Sequence, residues 1–347
     1  MLRETNVQTL HWADKTMSVL KARQLEACEG RLAALPAYGL FGNCDASNVE
    51  TLWACSFAAQ EQPIPSALHE PRKLQAQLLT SLPAEAALLS MEEHHLIDRL
   101  LALGGTAELM DWEEISAAES LVRRLWCTVS RQEDRIFVHL PPELVVPLQL
   151  ILSSKAHEEI RDKLFRYDAT IHGLLYIGGL LHVAEPLRHL MVDVLEGTYA
   201  AQQHLALRYL RASYDYTYDA QGQMLLLHPG LAEPERLLAK LPPMSDQQLQ
   251  LDETTMLGAM SGLLPEERPL FETMFGLLLG AVRPEISTEE AVEDLRMLAK
   301  QGVSLEEMND VLGTLLTVQP TPAMRSGLQQ LYMMTPRWGT MRSGMVQ

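Results

Sequence analysis

Residues 213–230 read SYDYTYDAQGQMLLLHPG. Tyr214, Tyr216 and Tyr218 alternate with polar residues, so their rings share one face of an extended strand. Asp219-Ala220-Gln221-Gly222 supplies turn residues, and Met224–Leu227 is a short apolar run suited to the returning strand. The stretch predicts an antiparallel hairpin over Tyr214–Leu227 in a chain that otherwise reads as helix.

A second stretch follows the same plan. WCTVSRQEDRIFVHLPPE, from Trp126 to Glu143, also follows a helix and holds a β-prone segment, a polar turn and an apolar strand, Arg135–Leu140. Each ends at His and Pro, and the two histidines stand 89 residues apart (139 to 228). They read as two helix-plus-hairpin units. A lone hairpin is only marginally stable, so each must pair or pack. If the two hairpins share one sheet, Phe137 and at least two of Tyr214, Tyr216 and Tyr218 are well buried, and Tyr216→Ala costs roughly 3 kcal/mol.

Helical signals surround the hairpins. Arg3–Leu35 is amphipathic, with apolar residues at three-, four- and eight-residue spacings up to Pro36. Serine-x-x-acid/amide capping boxes stand at Ser47/Glu50, Ser245/Gln248, Ser287/Glu290 and Ser304/Glu307. Pro71 and Pro83 read as first residues of helices, since that position needs no N–H. Gly104 and Gly105 read as a helix stop, and a helix over Trp112–Trp126 follows. Between the hairpins, Pro142–Leu210 reads as several short helices broken at Ser154, Gly173, Gly178, Gly179, Pro186 and Gly197. GLLYIGGLLHVAEPL (173–187) reads as a buried helix, too soon interrupted by His182 and Glu185 to span a membrane. Ser287–Lys300 and Ser304–Leu316 read as two helices reversing at Gly302, with Leu295, Leu298, Met308, Val311 and Leu312 facing the core. Their exposed face would carry Glu289, Glu293, Glu306 and Asp310.

The expected fold is therefore mainly α with minor β: a multi-helix array with two short hairpins in the middle. The expected segments are 1–62 (helical), 63–232 (central, with both helix-plus-hairpin units), 233–334 (helical) and 335–347 (a flexible tail that can also dock).

Forty-five acidic against 28 basic residues give a net charge of −17. Such a chain is repelled by phosphate backbones and anionic lipid, which argues against nucleic acid and membrane as partners. The opening MLRETNVQTLHW lacks the basic-then-apolar pattern of a secretion signal. Cys28, Cys44, Cys55 and Cys127 show no metal-site or disulfide-framework spacing. These features lead to the expectation of a cytoplasmic, bacterial protein.

Chemistry-bearing residues concentrate in 157–204: His157, Glu158, Asp168, His172, His182, Glu185, His189 and His204. Asp168/His172 and Glu185/His189 are each four apart, on one helical face, as a metal site in a helical bundle would need. The block lacks any Glu-x-x-His, however, and Pro186 makes Glu185 a helix start. MEEHHLIDRL (91–100) has the wrong order for a zinc-protease helix, and no nucleophile elbow or phosphate-binding glycine loop occurs. LAKQGVSLEEMNDVL (298–312) has the turn of a helix-turn-helix, but its second helix is acidic and carries no Arg or Lys. Met324, Met333, Met334, Met341 and Met345 crowd the end around Trp338, where thioethers suit adaptable contacts.

The expectation is a non-catalytic interaction or regulatory protein that binds protein partners or itself, with no cofactor, no metal and no catalytic residue. The alternatives are a helical enzyme or metal-binding protein using the 157–204 block, and a DNA-binding regulator.

Overall fold

A computed structural model describes residues 64–110, 112–133, 135–195, 200–239 and 253–338. Of the first sixty it describes 12, 13, 15–17, 19, 49, 50, 53, 54, 56 and 57. The helix expected over Arg3–Leu35, the boxes at Ser47/Glu50 and Ser245/Gln248, Cys28, Cys44, Cys55, Met341 and Met345 lie wholly or mostly outside these residues.

Along the chain run α1 (Pro71–Ala86), α2 (Met91–Ala102), β1 (Thr106–Glu108), α3 (Trp112–Arg123), β2 (Thr128–Gln132), β3 (Arg135–His139), α4 (Pro142–Leu152) and α5 (Lys155–Gly178). Then come β4 (Leu180–His182), α6 (Ala184–His189), a π-helical turn over Leu190–Val194, α7 (Ala200–Ser213), β5 (Asp215–Tyr218) and β6 (Met224–Leu227). The remainder is helical: α8 (Pro234–Leu238), α9 (Glu253–Met260), α10 (Arg268–Leu278), α11 (Thr288–Gln301), α12 (Leu305–Leu315) and α13 (Pro322–Met334). The fold is mainly α with two small antiparallel sheets.

The chain divides into two compact units, both discontinuous in sequence. One comprises 24–167 and 187–213; the other comprises 1–23, 168–186 and 214–347. In the first, α2, α3, β1–β3 and α4 enclose a core that includes Leu96, Ile97, Leu100, Leu121, Trp126, Val138 and Leu144. In the second, α10–α13 pack around Leu295, Leu298, Met308, Val311 and Leu312, the five residues expected to face inward. Tyr176, Leu225, Met297 and Trp338 belong to a further core of the same unit.

Both expected hairpins form, β2–β3 and β5–β6. They do not share a sheet. Each recruits a three-residue strand from its own unit, giving the orders β1-β3-β2 and β4-β6-β5. The burial expected of one joint sheet therefore fails: Tyr214 is buried, but Tyr216 and Tyr218 are 39% and 51% exposed, and Phe137 is half-buried.

The two sheets are wired alike. The Leu140 N–H bonds the Gly105 carbonyl (2.7 Å) and the His228 N–H bonds the Gly179 carbonyl (2.9 Å). Leu109 N–H to Ile136 (2.9 Å) likewise matches Val183 N–H to Met224 (3.1 Å). This register equates Leu140 with His228, and Pro141 with Pro229, at an offset of 88 residues (140 to 228). The histidine-to-histidine alignment is thus wrong by one. His139 occupies the position of Leu227.

Other expectations need correction. Pro83 lies inside α1. The break comes at Ser90, whose hydroxyl accepts the Glu93 N–H while Glu93 returns a bond to the Ser90 N–H, a capping box that starts α2. Residues 173–187 are not one helix: α5 runs unbroken through Gly173, and Leu180–His182 then extends as β4 against Leu225–Leu227. Gly173 is tolerated because a side chain there would press within 3.1 Å of Met260. The boxes at Ser287/Glu290 and Ser304/Glu307 are present, and Gly302 takes φ +72° between α11 and α12.

Candidate functional site

The 157–204 block spans a boundary in the fold. Its members divide between the two units: His157, Glu158, His189 and His204 fall in one, and Asp168, His172, His182 and Glu185 in the other. Asp168 and His172 do share a face, and that face meets Tyr214. The tyrosine hydroxyl donates to Asp168 (2.5 Å) and the His172 ring tilts against it at 5.3 Å. His189 Nδ1 lies 2.6 Å from Asp193, near the surface. His182 sits on β4 opposite Leu225. Among the described residues, no three His, Cys, Asp or Glu side chains converge as metal ligands.

His157 is buried and stacks on His94 at 5.7 Å. Burial pushes the His157 imidazole down to about 4, and the positive potential of His94 and Arg161 adds to the effect. Burial also lowers His94, although Asp98, 3.1 Å from its Nδ1, pulls the other way.

Sequence reasoning missed the two charged clusters at the centres of the units. In the first unit Arg124 grips Glu93 through Nε (2.8 Å) and Nη2 (3.1 Å) and donates to the Leu88 carbonyl (2.9 Å). Ser120 donates to the same carboxylate at 2.5 Å. Arg208, 3.5 Å from Glu85, extends the network.

In the second unit Glu267 is 1% exposed and Lys300 is completely enclosed. Lys300 Nζ lies 2.7 Å from Glu267 Oε1, an ion pair whose angles fall outside those of a hydrogen bond. The ammonium also stands 4.0 Å from the centre of the Tyr176 ring. The Tyr176 hydroxyl and the Leu264 N–H (3.1 Å) donate to Glu267, Arg296 lies 3.4 Å from it, and Arg296 also pairs with Glu293. Burial lowers Lys300 and raises both Glu293 and the Tyr176 hydroxyl, to which Glu267 adds a further rise. Glu293, expected on an exposed face, is instead drawn inward by Arg296.

The expected tail begins docked. Trp338 is buried; its ring N–H donates to the Tyr176 carbonyl (2.9 Å) and its backbone N–H to that of Lys300 (2.8 Å). Beside it, Trp12, Leu231, Glu233, Arg236, Leu237, Gln301 and Trp338 line a cleft of about 10 Å³. That holds about one water, whereas small-molecule sites span roughly 300–1,000 Å³.

No family model matches this chain, and no curated protein or solved structure is significantly similar to it. Among the described residues no helix is long and apolar enough to cross a membrane.

Proposed function

We propose that this chain is a non-catalytic interaction protein that engages protein partners, in a cytoplasmic and bacterial setting. One observation carries the reading. The side chains most capable of chemistry are enclosed and neutralised by one another: Glu267 with Lys300 and Arg296, and Glu93 with Arg124. Buried charges paired in this way hold elements in place and have no room for a substrate. The surface meanwhile offers acid, as at Glu289 and Glu306, within a net charge of −17. This charge supports basic protein partners over nucleic acid. The common wiring of the two sheets supports a finer reading, in which the two helix-plus-hairpin units are a repeat.

A second reading, metal binding, has one observation in its favour. The Nε2 atoms of His94 and His157 are buried and meet no hydrogen-bond partner. Two nitrogens are fewer than the three or four protein ligands of most metal sites.

Affinity capture from the source cells, paired with elemental analysis of chelator-free protein, separates the two. A stoichiometric protein partner and no bound transition metal is the expected result. Near-stoichiometric zinc, iron or manganese that disappears in His157→Ala or His172→Ala overturns the proposal in favour of metal binding.

A further inference from the structure

The strand that carries Tyr216 and Tyr218, β5, lies at the edge of its sheet. In the order β4-β6-β5, β6 is central and β5 has, among the described residues, a neighbour on one side only. Backbone groups on an antiparallel strand point alternately to its two sides. Asp219 N–H bonds the Gln223 carbonyl (2.9 Å), so Asp219, and with it Thr217 and Asp215, turns toward β6. Tyr216 and Tyr218 therefore aim their N–H and C=O groups away from the sheet. That leaves two donors and two acceptors in a row with no partner strand among the described residues.

Edges of this kind are normally blunted by Lys, Pro or a bulge, because they template pairing with another chain. The other sheet follows this rule. On β2 the outward positions are Val129, which is buried, and Arg131, whose charged chain folds back onto the Glu133 carbonyl (3.2 Å). β5 has no such device. It presents Tyr216 and Tyr218, large apolar rings 39% and 51% exposed, in an edge-to-face pair with centroids 6.0 Å apart. From 212 to 235 there is no Lys or Arg, so nothing basic in this stretch repels a cationic partner, and Asp215 and Asp219 stand on the opposite face of the strand from the rings.

We infer that the outer edge of β5 is a docking site for an extended, basic segment of a protein partner, which adds to the sheet as a fourth strand beside β5. Main-chain bonds to Tyr216 and Tyr218 would supply the register. Lys or Arg side chains at alternate positions would lie on one face of the added strand, over the tyrosine rings. The inference rests on the interaction-protein reading above and names the surface and the partner chemistry.

The test uses the full chain and three short synthetic peptides. One alternates Lys with Val, one carries Glu in place of Lys, and one is the Lys peptide N-methylated at alternate residues. In low salt the Lys peptide should bind at least about ten-fold tighter than either of the others, a gap that narrows as salt is raised. It should also slow hydrogen exchange at the amides of Tyr216 and Tyr218. Tyr216→Pro removes an outward N–H without touching the β6 ladder and should weaken binding at least about ten-fold. Tyr218→Lys, an exposed change that leaves every backbone bond in place, should do the same by charge and guards against misfolding of the proline variant.

Equal binding of the three peptides, no binding, or unprotected amides overturns the inference. So does sedimentation showing a dimer that Tyr218→Lys converts to monomer, because the occupant is then a second copy of this chain. If a captured cellular partner binds Tyr218→Lys as well as wild type, the edge assignment fails while the interaction-protein reading stands.

Discussion

Removing the Glu267 carboxylate should be among the most damaging single changes in this protein. Glu267→Ala leaves Lys300 and Arg296 with Glu293 as their acidic neighbour among the described residues, and strips the Tyr176 hydroxyl and the Leu264 N–H of their acceptor. Lys300 has no exposure through which to recover hydration. Its cheapest escape is to lose its proton. From an ordinary lysine value near 10.4, neutralisation at pH 7 costs about 4.6 kcal/mol, at about 1.36 kcal/mol per pH unit. That bounds the contribution of Lys300 alone, and breaking a buried pair by removing one partner ordinarily costs about 3–5 kcal/mol. At about 2–4 °C per kcal/mol for a unit of this size, the melting temperature should fall by roughly 6–20 °C. Differential scanning calorimetry suits the assay, since two units need not unfold together.

The variant should also carry a pH signature. A neutral Lys300 in the folded variant has its folded value depressed below the unfolded one, so the unfolded chain binds the extra proton. Stability must then rise from pH 7 to 9, by up to about 1.4 kcal/mol per unit. Glu267→Met combined with Lys300→Met should recover most of the loss, because an apolar pair leaves no orphaned charge. A Glu267→Ala cost below about 1 kcal/mol without the pH slope would refute the reasoning and show that water reaches the cluster.

Other perturbations follow from the same geometry. His157 is held near 4 by burial against about 6.5 when unfolded, so the unfolded chain takes up the proton first. Stability of the first unit should be fully present above about pH 6.5 and decline toward pH 4 by on the order of 3 kcal/mol; a His157 ring signal titrating near 6.5 by NMR contradicts this. Gly302→Val forces a β-branched residue to φ +72° and should lower stability by more than about 1 kcal/mol in urea unfolding, and an unchanged midpoint counts against the backbone argument. Tyr216→Ala should cost less than about 1 kcal/mol, because its ring is well exposed, while Tyr214→Ala, buried against His172 and bonded to Asp168, should cost about 3 kcal/mol; equal costs would mean that the outward face of β5 is covered.

Sequence patterning carried the reading where the signal was local. Turn residues and alternation located both hairpins, and Ser287, Ser304 and Gly302 located the ends of α11 and α12, because each effect acts within four residues. β1 and β4 were missed because three residues are too few for a period, and Leu180–His182 lie inside an apolar run that suits either helix or strand. Ser90-x-x-Glu93 was in plain view, but continuous apolar spacing on either side hid the break from Ala87 to Ser90. The buried clusters were illegible for a different reason. Glu293, Arg296 and Lys300 stand three and four apart on α11, the spacing of a solvated charged face. What makes that face internal is Glu267 and Tyr176, the latter 91 residues away from Glu267, and no local pattern reports such a meeting.

The β5–β6 hairpin shows where patterning stops short of function. Strict alternation says that three tyrosines share a face and leaves open which way the face looks. The neighbouring strand settles it. Met224, Leu225 and Leu226 are all buried, so β6 is apolar on successive residues and therefore covered on both faces, as a central strand must be. β5 is then left at the edge, and alternation on an edge needs only one covered face. Tyr214 meets that need against Asp168 and His172. Tyr216 and Tyr218 do not, and nothing in the stability of this unit asks for two tyrosines there in place of Lys or Thr. Tyr216 and Tyr218 set aromatic surface beside outward backbone groups, in a stretch without Lys or Arg. That surface is the one part of the hairpin whose chemistry folding does not explain, which is why the binding experiment belongs at β5 before any other surface of the chain.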